Sequence, residues 1–359
     1  MSRVYNFSAG PACLPVEVLE EAQRELLDYQ GAGFSIMEAS HRGKEYSAVH
    51  EEAVAHFTDL LSLSDDYAVL FLTGGATAQF AMVPMNLLGE GQTADYTDTG
   101  SWATKAIKEA KGLGAVNVIA DTKDASPAAM PDPASLKETE GAAYVHITSN
   151  ETIAGTQWKT FPKTAAPLVA DMSSDILSRP FDMNDFGLVY AGAQKNLGPA
   201  GVTVVVMRKD LADRVTDRTP IIYRYKTHLE KNSLFNTPPC FNIYIVMLVT
   251  RWLKERGGVA AMAEKNEAKA AKLYEAIDAT DFYRGTAAAG SRSAMNVTFR
   301  LPSEDLEKTF IAEAADNGMT GLKGHRSVGG IRASIYNAFP ESGVDELISF
   351  MRDFEARNG

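Results

Sequence analysis

An α/β fold with a mostly parallel sheet, followed by a smaller α+β unit, is predicted by short apolar runs that alternate with helical segments and by a change of rhythm near residue 255. Composition agrees: of 359 residues, 45% are hydrophobic and 23% charged, enough for two units with full-sized cores. The apolar runs are Tyr67 to Leu72, Val116 to Ala120, Tyr144 to Thr148, Leu168 to Ala170, Leu188 to Ala191 and Val202 to Met207. Near-continuous hydrophobicity is what strands covered on both faces show.

The elements follow in order. Val16, Leu19, Ala22 and Leu26 share one helical face, as do Val49, Ala53, Phe57 and Leu60. A helix is expected from the Gly74-Gly75 pair to about Leu88. The most apolar stretch, Phe241 to Leu253, is broken by Asn242, Thr250 and Arg251 and is shorter than the roughly 20 residues of a membrane span, so a buried helix is predicted. Gly257-Gly258 is a helix stop and marks the predicted boundary between a larger unit, residues 1–256, and a smaller one, residues 257–359. In the latter we expect a helix over Val259 to Ala279, a strand over Met295 to Leu301, a helix over Glu304 to Asn317, a strand over Ile331 to Tyr336 and a final helix over Val344 to Arg357.

Charge and motif content narrow the function. A net charge of -11 disfavours nucleic acid and anionic membranes as partners, while leaving room for a local cationic pocket. The N-terminal stretch lacks a basic, then apolar, leader pattern, and the two cysteines, Cys13 and Cys240, suit a reducing cytoplasm rather than a disulfide framework or a zinc site. The sequons at Asn150 and Asn296 are then coincidental. Gly43-Lys44 is followed by Glu45, so there is no Walker A loop, and His50-Glu51 lacks the second histidine of a zincin helix.

Positive signals lie at strand ends. Asp171 closes one apolar run and Lys195 follows another, where strand ends line a ligand crevice in open parallel sheets. A lysine there can form an imine with an aldehyde cofactor, and an aspartate can keep a pyridine nitrogen protonated. Alone, the pair reads as a surface lysine and a turn. Gly74-Gly75-Ala76-Thr77 opens a helix directly after a strand, an arrangement that suits a phosphate, and Trp102 is available to stack on an aromatic ring.

Seven segments in register carry a family resemblance: NFSAGPACLP at the N-terminus, SHRGKEY at 40–46, GGAT at 74–77, NET at 150–152, AGAQKNLGPAG at 191–201, FNTPP at 235–239 and GHRSVGGIRASIYNA at 324–338. In these the chain resembles the phosphoserine aminotransferases. The resemblance implies an aspartate-aminotransferase-like fold of type I with a seven-stranded sheet, pyridoxal 5'-phosphate as cofactor, and a homodimer with active sites shared between subunits. It implies that Lys195 carries the imine, Asp171 meets the pyridinium nitrogen, Trp102 stacks on the ring and Thr152 meets the ring hydroxyl. Ala76, Thr77 and Gln194 would hold the cofactor phosphate with Asn236 and Thr237 of the partner subunit.

For substrates it implies glutamate and 3-phosphohydroxypyruvate, with Arg332 on the α-carboxylate. His41 and Arg42, with His325 and Arg326 from the second subunit, would take the distal anion. Some relatives carry arginine where this chain has Thr77 and serine where it has Ala9. A cysteine desulfurase would need a reactive cysteine on a mobile loop, and none follows Cys240; a mere cofactor carrier would need neither Arg332 nor the His-Arg pairs.

Overall fold

The computed structural model describes residues 3–359. Strand β1 (Tyr5–Asn6) leads to helices α1 (Val16–Arg24) and α2 (Lys44–Leu60). Then β2 (Tyr67–Leu72) precedes α3 (Gly75–Leu87), β3 (Thr93–Asp98) precedes α4 (Ser101–Lys111), and β4 (Ala115–Asp121) follows. The middle of the chain supplies β5 (Val145–Thr148), the two arms of a small hairpin, β6 (Asn150–Glu151) and β7 (Thr156–Gln157), then β8 (Leu168–Asp171), β9 (Leu188–Gly192) and β10 (Thr203–Arg208). Beyond them lie α5 (Tyr225–Glu230), α6 (Cys240–Glu255), α7 (Gly258–Asp278), β11 (Arg284–Gly285), β12 (Asn296–Arg300), α8 (Glu304–Asp316), β13 (Met319–Thr320), β14 (Ile331–Ser334) and α9 (Glu341–Asn358).

The principal sheet has seven strands in the order β2-β10-β9-β8-β5-β3-β4. All run one way except β10, which is antiparallel to both neighbours. Because side chains alternate across a strand, the sheet feeds two cores. Val69, Phe71, Val145, Ile147, Val189 and Val204 pack with α2 and α6 on one face. On the other, Leu70, Leu72, Val169, Tyr190 and Val205 pack with α3 and α4. The apolar stretch of α6 is buried in the first of these cores, and among the described residues no helix is long and apolar enough to cross a membrane.

A third core lies under α7, α8, α9 and the sheet β11-β12-β14. The N-terminal segment, expected with the larger unit, joins this core instead: β1 pairs with β13, and Phe7 is fully buried there.

β3 was not among the predicted strands. Its sequence, TADYTD, reads as polar, yet it runs through the sheet between β4 and β5. Burial is tolerated because the acids are partnered: Asp95 accepts from Thr139 N and Oγ1 at 2.6 and 2.7 Å, and Asp98 accepts from Thr104 Oγ1 at 2.7 Å. The direction of β10 was equally invisible, since an apolar run looks the same read either way.

Candidate active site

Five parallel strands, β2, β3, β5, β8 and β9, bring their carboxyl ends to one edge of the sheet, the place where open α/β sheets bind ligands. At the end of β2 the chain turns through Gly74 and Gly75, both left-handed with φ +93° and +65°. A Cβ on Gly74 would stand 2.5 Å from that of Ala78, so the turn requires glycine. No side chain caps α3, which leaves first-turn amides at Ala76 and Thr77 free for an anion. Both residues line the cleft together with Gln194.

At the end of β3, α4 starts one residue ahead of Trp102, placing the indole in the helix's first turn. Trp102 lines the same cleft, its Nε1 buried and without a partner, and Lys195 Nζ lies 5.8 Å from its ring centroid. Asp171, at the tip of β8, is buried and accepts from Ser173 N at 2.9 Å. Burial pushes its acid up, against the Ser173 bonds and the Lys195 charge, which favour the carboxylate.

Lys195 follows β9 on the cleft floor. Its amine donates to Thr152 Oγ1 and Ser174 Oγ, each at 2.8 Å, and those two hydroxyls are 2.6 Å apart. Desolvation lowers the amine to about 8, with the Asp171 and Glu151 charges opposing and Arg332 adding to the shift. Such a group yields its neutral, nucleophilic form at a much lower pH than an ordinary lysine.

Arg332, on β14, reaches the floor from the C-terminal unit: Nη1 donates to Thr152 O at 3.4 Å, while Nε is buried without a partner. His325 of the same chain lies within electrostatic reach of Arg332, Arg326 and Lys105, which add to partial burial in disfavouring its protonated form. Arg326 is exposed. His41 and Arg42 precede α2, half-buried and exposed respectively, and are not among the residues lining the Lys195 cleft. Nor are this chain's own Asn236 and Thr237, which are exposed ahead of α6; Asn236 lines a neighbouring hollow beside Gly74. Neither cysteine lines the cleft, and burial raises both thiols.

Known proteins are similar to this chain in sequence and fold. The family profile described as aminotransferase class-V matches residues 4–347. A phosphoserine aminotransferase of Geobacillus kaustophilus is 58% identical over 358 residues, covering 99% of each chain. The chain belongs to the phosphoserine aminotransferase family. A solved phosphoserine aminotransferase from Bacillus circulans subsp. alkalophilus superposes with a TM-score of 0.98 at 55% identity, covering 99% of each chain. The pyridoxal-phosphate-bound phosphoserine aminotransferase of Trichomonas vaginalis, 40% identical, gives 0.94 over 98% of this chain and 100% of that one. An aspartate aminotransferase from Thermus thermophilus, at 18% identity, covers 98% of this chain and 99% of its own, and its TM-score of 0.80 shows the shared fold alone.

Within this phosphoserine aminotransferase site, sequence reasoning missed Ser174, Glu151 and Asp175. Ser174 is bonded to the lysine, and Asp175 is buried with Gln157 Nε2 at 3.0 Å and the Ser149 hydroxyl against it. The run MSSD directly after Asp171 and the middle residue of NET were their only signals.

Proposed function

We propose that this chain uses pyridoxal 5'-phosphate to transfer the amino group of glutamate to 3-phosphohydroxypyruvate, giving O-phosphoserine and 2-oxoglutarate. The observation that carries the reading is the convergence, on one cleft floor, of a lysine amine lowered to about 8, the buried carboxyl of Asp171 and the unpartnered Nε of Arg332.

The residues fit the cofactor. Gly74 and Gly75 open a helix N-terminus to a phosphate, Ala76, Thr77 and Gln194 line it, and Trp102 offers an indole face. Asp171 would hold the proton on the pyridine nitrogen, and Lys195 Nζ would be the attachment point. Thr152, whose hydroxyl is bonded to that nitrogen, would meet the ring hydroxyl. When bound, pyridoxal phosphate supplies an electron sink for the pair left as an α-proton departs. Lys195 Nζ, as a neutral amine, would be the base that takes the proton from the substrate Cα.

Arg332 presents a planar fork to the α-carboxylate common to both substrates. Arg42 and Arg326 supply cations, and His41 and His325 imidazole N–H donors, for the distal carboxylate or phosphate. We place the two His-Arg pairs on different subunits of a homodimer, with Asn236 and Thr237 of the partner subunit completing the cofactor-phosphate site. Exposed Ile221, Ile222, Tyr223 and Phe235, close to that loop in sequence, support a second copy as the cover. A smaller unit beyond left-handed Gly257, which the N-terminal strand β1 joins, a cytoplasmic setting, and a second role on the 4-phosphohydroxythreonine pair of pyridoxine biosynthesis complete the reading.

Purified protein loaded with pyridoxal phosphate and mixed with glutamate tests it directly. The absorbance should shift from the aldehyde-derived to the amine form of the cofactor, and 3-phosphohydroxypyruvate should then restore the first spectrum with release of phosphoserine. A protein that binds the cofactor but shows no shift with glutamate would leave it a carrier.

A further inference from the structure

Glu151 is a fully buried carboxylate outside every role assigned above. It sits on β6 and reaches across to the first turn of α4, where Oε2 accepts from Trp102 N at 3.3 Å and Oε1 from Ala103 N at 3.0 Å. Helices usually cap themselves with a short polar side chain at the N-cap, which satisfies such amides at low cost. Here the N-cap is Gly100, with no side chain to offer, and a Cβ there would come 2.7 Å from Glu151 Cδ. The helix has given up its own cap, and the space is filled by a carboxylate from another element.

That is an expensive substitute. Taking a carboxylate out of water is unfavourable unless its bonds offset the loss of hydration, and burial raises Glu151 to about 7 while the Ala103 and Trp102 amides and the Lys195 charge pull it down. What the arrangement provides is a tie between two walls of the cleft. On either side of Glu151, Thr152 bonds the Lys195 amine, and Asn150 donates to Asn296 Oδ1 at 2.8 Å and accepts from Ser293 Oγ at 2.5 Å in the C-terminal unit. Asn296 in turn donates to Ser334 Oγ at 2.9 Å, two residues from Arg332. Asn150-Glu151-Thr152 therefore links the Trp102 helix, the lysine and the strand carrying Arg332.

We propose that Glu151 is a positioning residue for the cofactor: its carboxylate pins the N-terminus of α4 so that the Trp102 ring is held at a fixed height over the cleft floor. The proposal rests on the cofactor reading above. Losing a charged cap lets the first turn of α4 settle elsewhere, so the indole no longer meets a ring attached at Lys195.

A double-mutant cycle on pyridoxal phosphate affinity, measured by titrating cofactor-free protein, isolates this role. Glu151→Gln keeps the shape but leaves an amide group facing backbone N–H donors. It should weaken the cofactor about tenfold with Trp102 present, the size of a lost charged cap, and less than about twofold in a Trp102→Ala background. An equal loss in both backgrounds, with the pH dependence of cofactor capture displaced, would make Glu151 a charge acting directly on Lys195 and overturn the proposal; so would unchanged affinity. If Glu151→Gln does not fold, Gly100→Ala takes its place, because its methyl pushes the carboxylate off the helix, with the same two expectations. Failure of the unaltered protein to bind pyridoxal phosphate would instead sink the cofactor reading itself.

Discussion

On the cleft floor, Asp171, Thr152 and Ser174 are buried, and Lys195 is bonded to the two hydroxyls within a single chain. On the rim, His41, Arg42, His325 and Arg326 stand on half-buried or exposed loops. The floor groups are fixed by bonds within the chain itself, which is what electrostatic catalysis needs, since dipoles held in place cost little to reorient during reaction. The rim is a set of arginines and imidazoles whose partners are an incoming anion and, on our reading, a second subunit. Floor residues should therefore fail in chemistry and rim residues in selectivity.

Lys195→Ala should give the largest loss. Proton transfer by a positioned base contributes typically about 10²- to 10⁴-fold, and removal of the attachment point adds to it. Appreciable steady-state turnover in a folded Lys195→Ala protein would dissolve the distinction between floor and rim. Arg332→Leu comes next, at roughly 2 to 5 kcal/mol in kcat/KM for a desolvated ion pair. Because the α-carboxylate is common, glutamate and 3-phosphohydroxypyruvate should suffer alike; a loss confined to one of them would move Arg332 to the rim.

Arg42→Leu should cost about tenfold, mainly in KM, for the phosphorylated substrate, whose distal group carries the greater charge. Alanine has no distal anion, so its slow half-reaction should be untouched, and an equal loss there would contradict the pocket.

The smallest effect is a titration. Pyridoxal phosphate reacts with the neutral amine, so with Lys195 lowered to about 8 its capture by cofactor-free protein should rise roughly fivefold from pH 7 to pH 8 and level off above about pH 9. The sign follows from desolvation, which favours the uncharged form. A rate still climbing tenfold per pH unit beyond pH 9 would mean an ordinary, solvated lysine.

Which parts of this were legible in the sequence has a physical reason. β2, β9 and β10 appear as apolar runs because both their faces are covered. β3 does not, because Asp95 and Asp98 find partners as far away as Thr139, and such pairings leave no periodicity. Lys195, Asp171 and the Gly74-Gly75 turn sit at strand ends, so a strand pattern locates them. Ser174 and Glu151 take their meaning from contacts reaching 21 and 49 residues along the chain, which no local pattern encodes. The N-terminal strand β1 was assigned by position to the larger unit, whereas its partner β13 lies more than 300 residues away.

Subunit complementation tests the contrast between floor and rim most directly. A Lys195→Ala subunit is paired with one carrying Asn236→Ala and Thr237→Ala. If the loop ahead of α6 completes the neighbour's phosphate site, one site of the hybrid collects both defects and the other has neither, and activity should return that neither parent homodimer possesses. If each chain's loop served its own cleft, every hybrid site would carry a defect. Confirmed subunit exchange without any recovery would contradict a site whose floor is built by one chain and closed by the next.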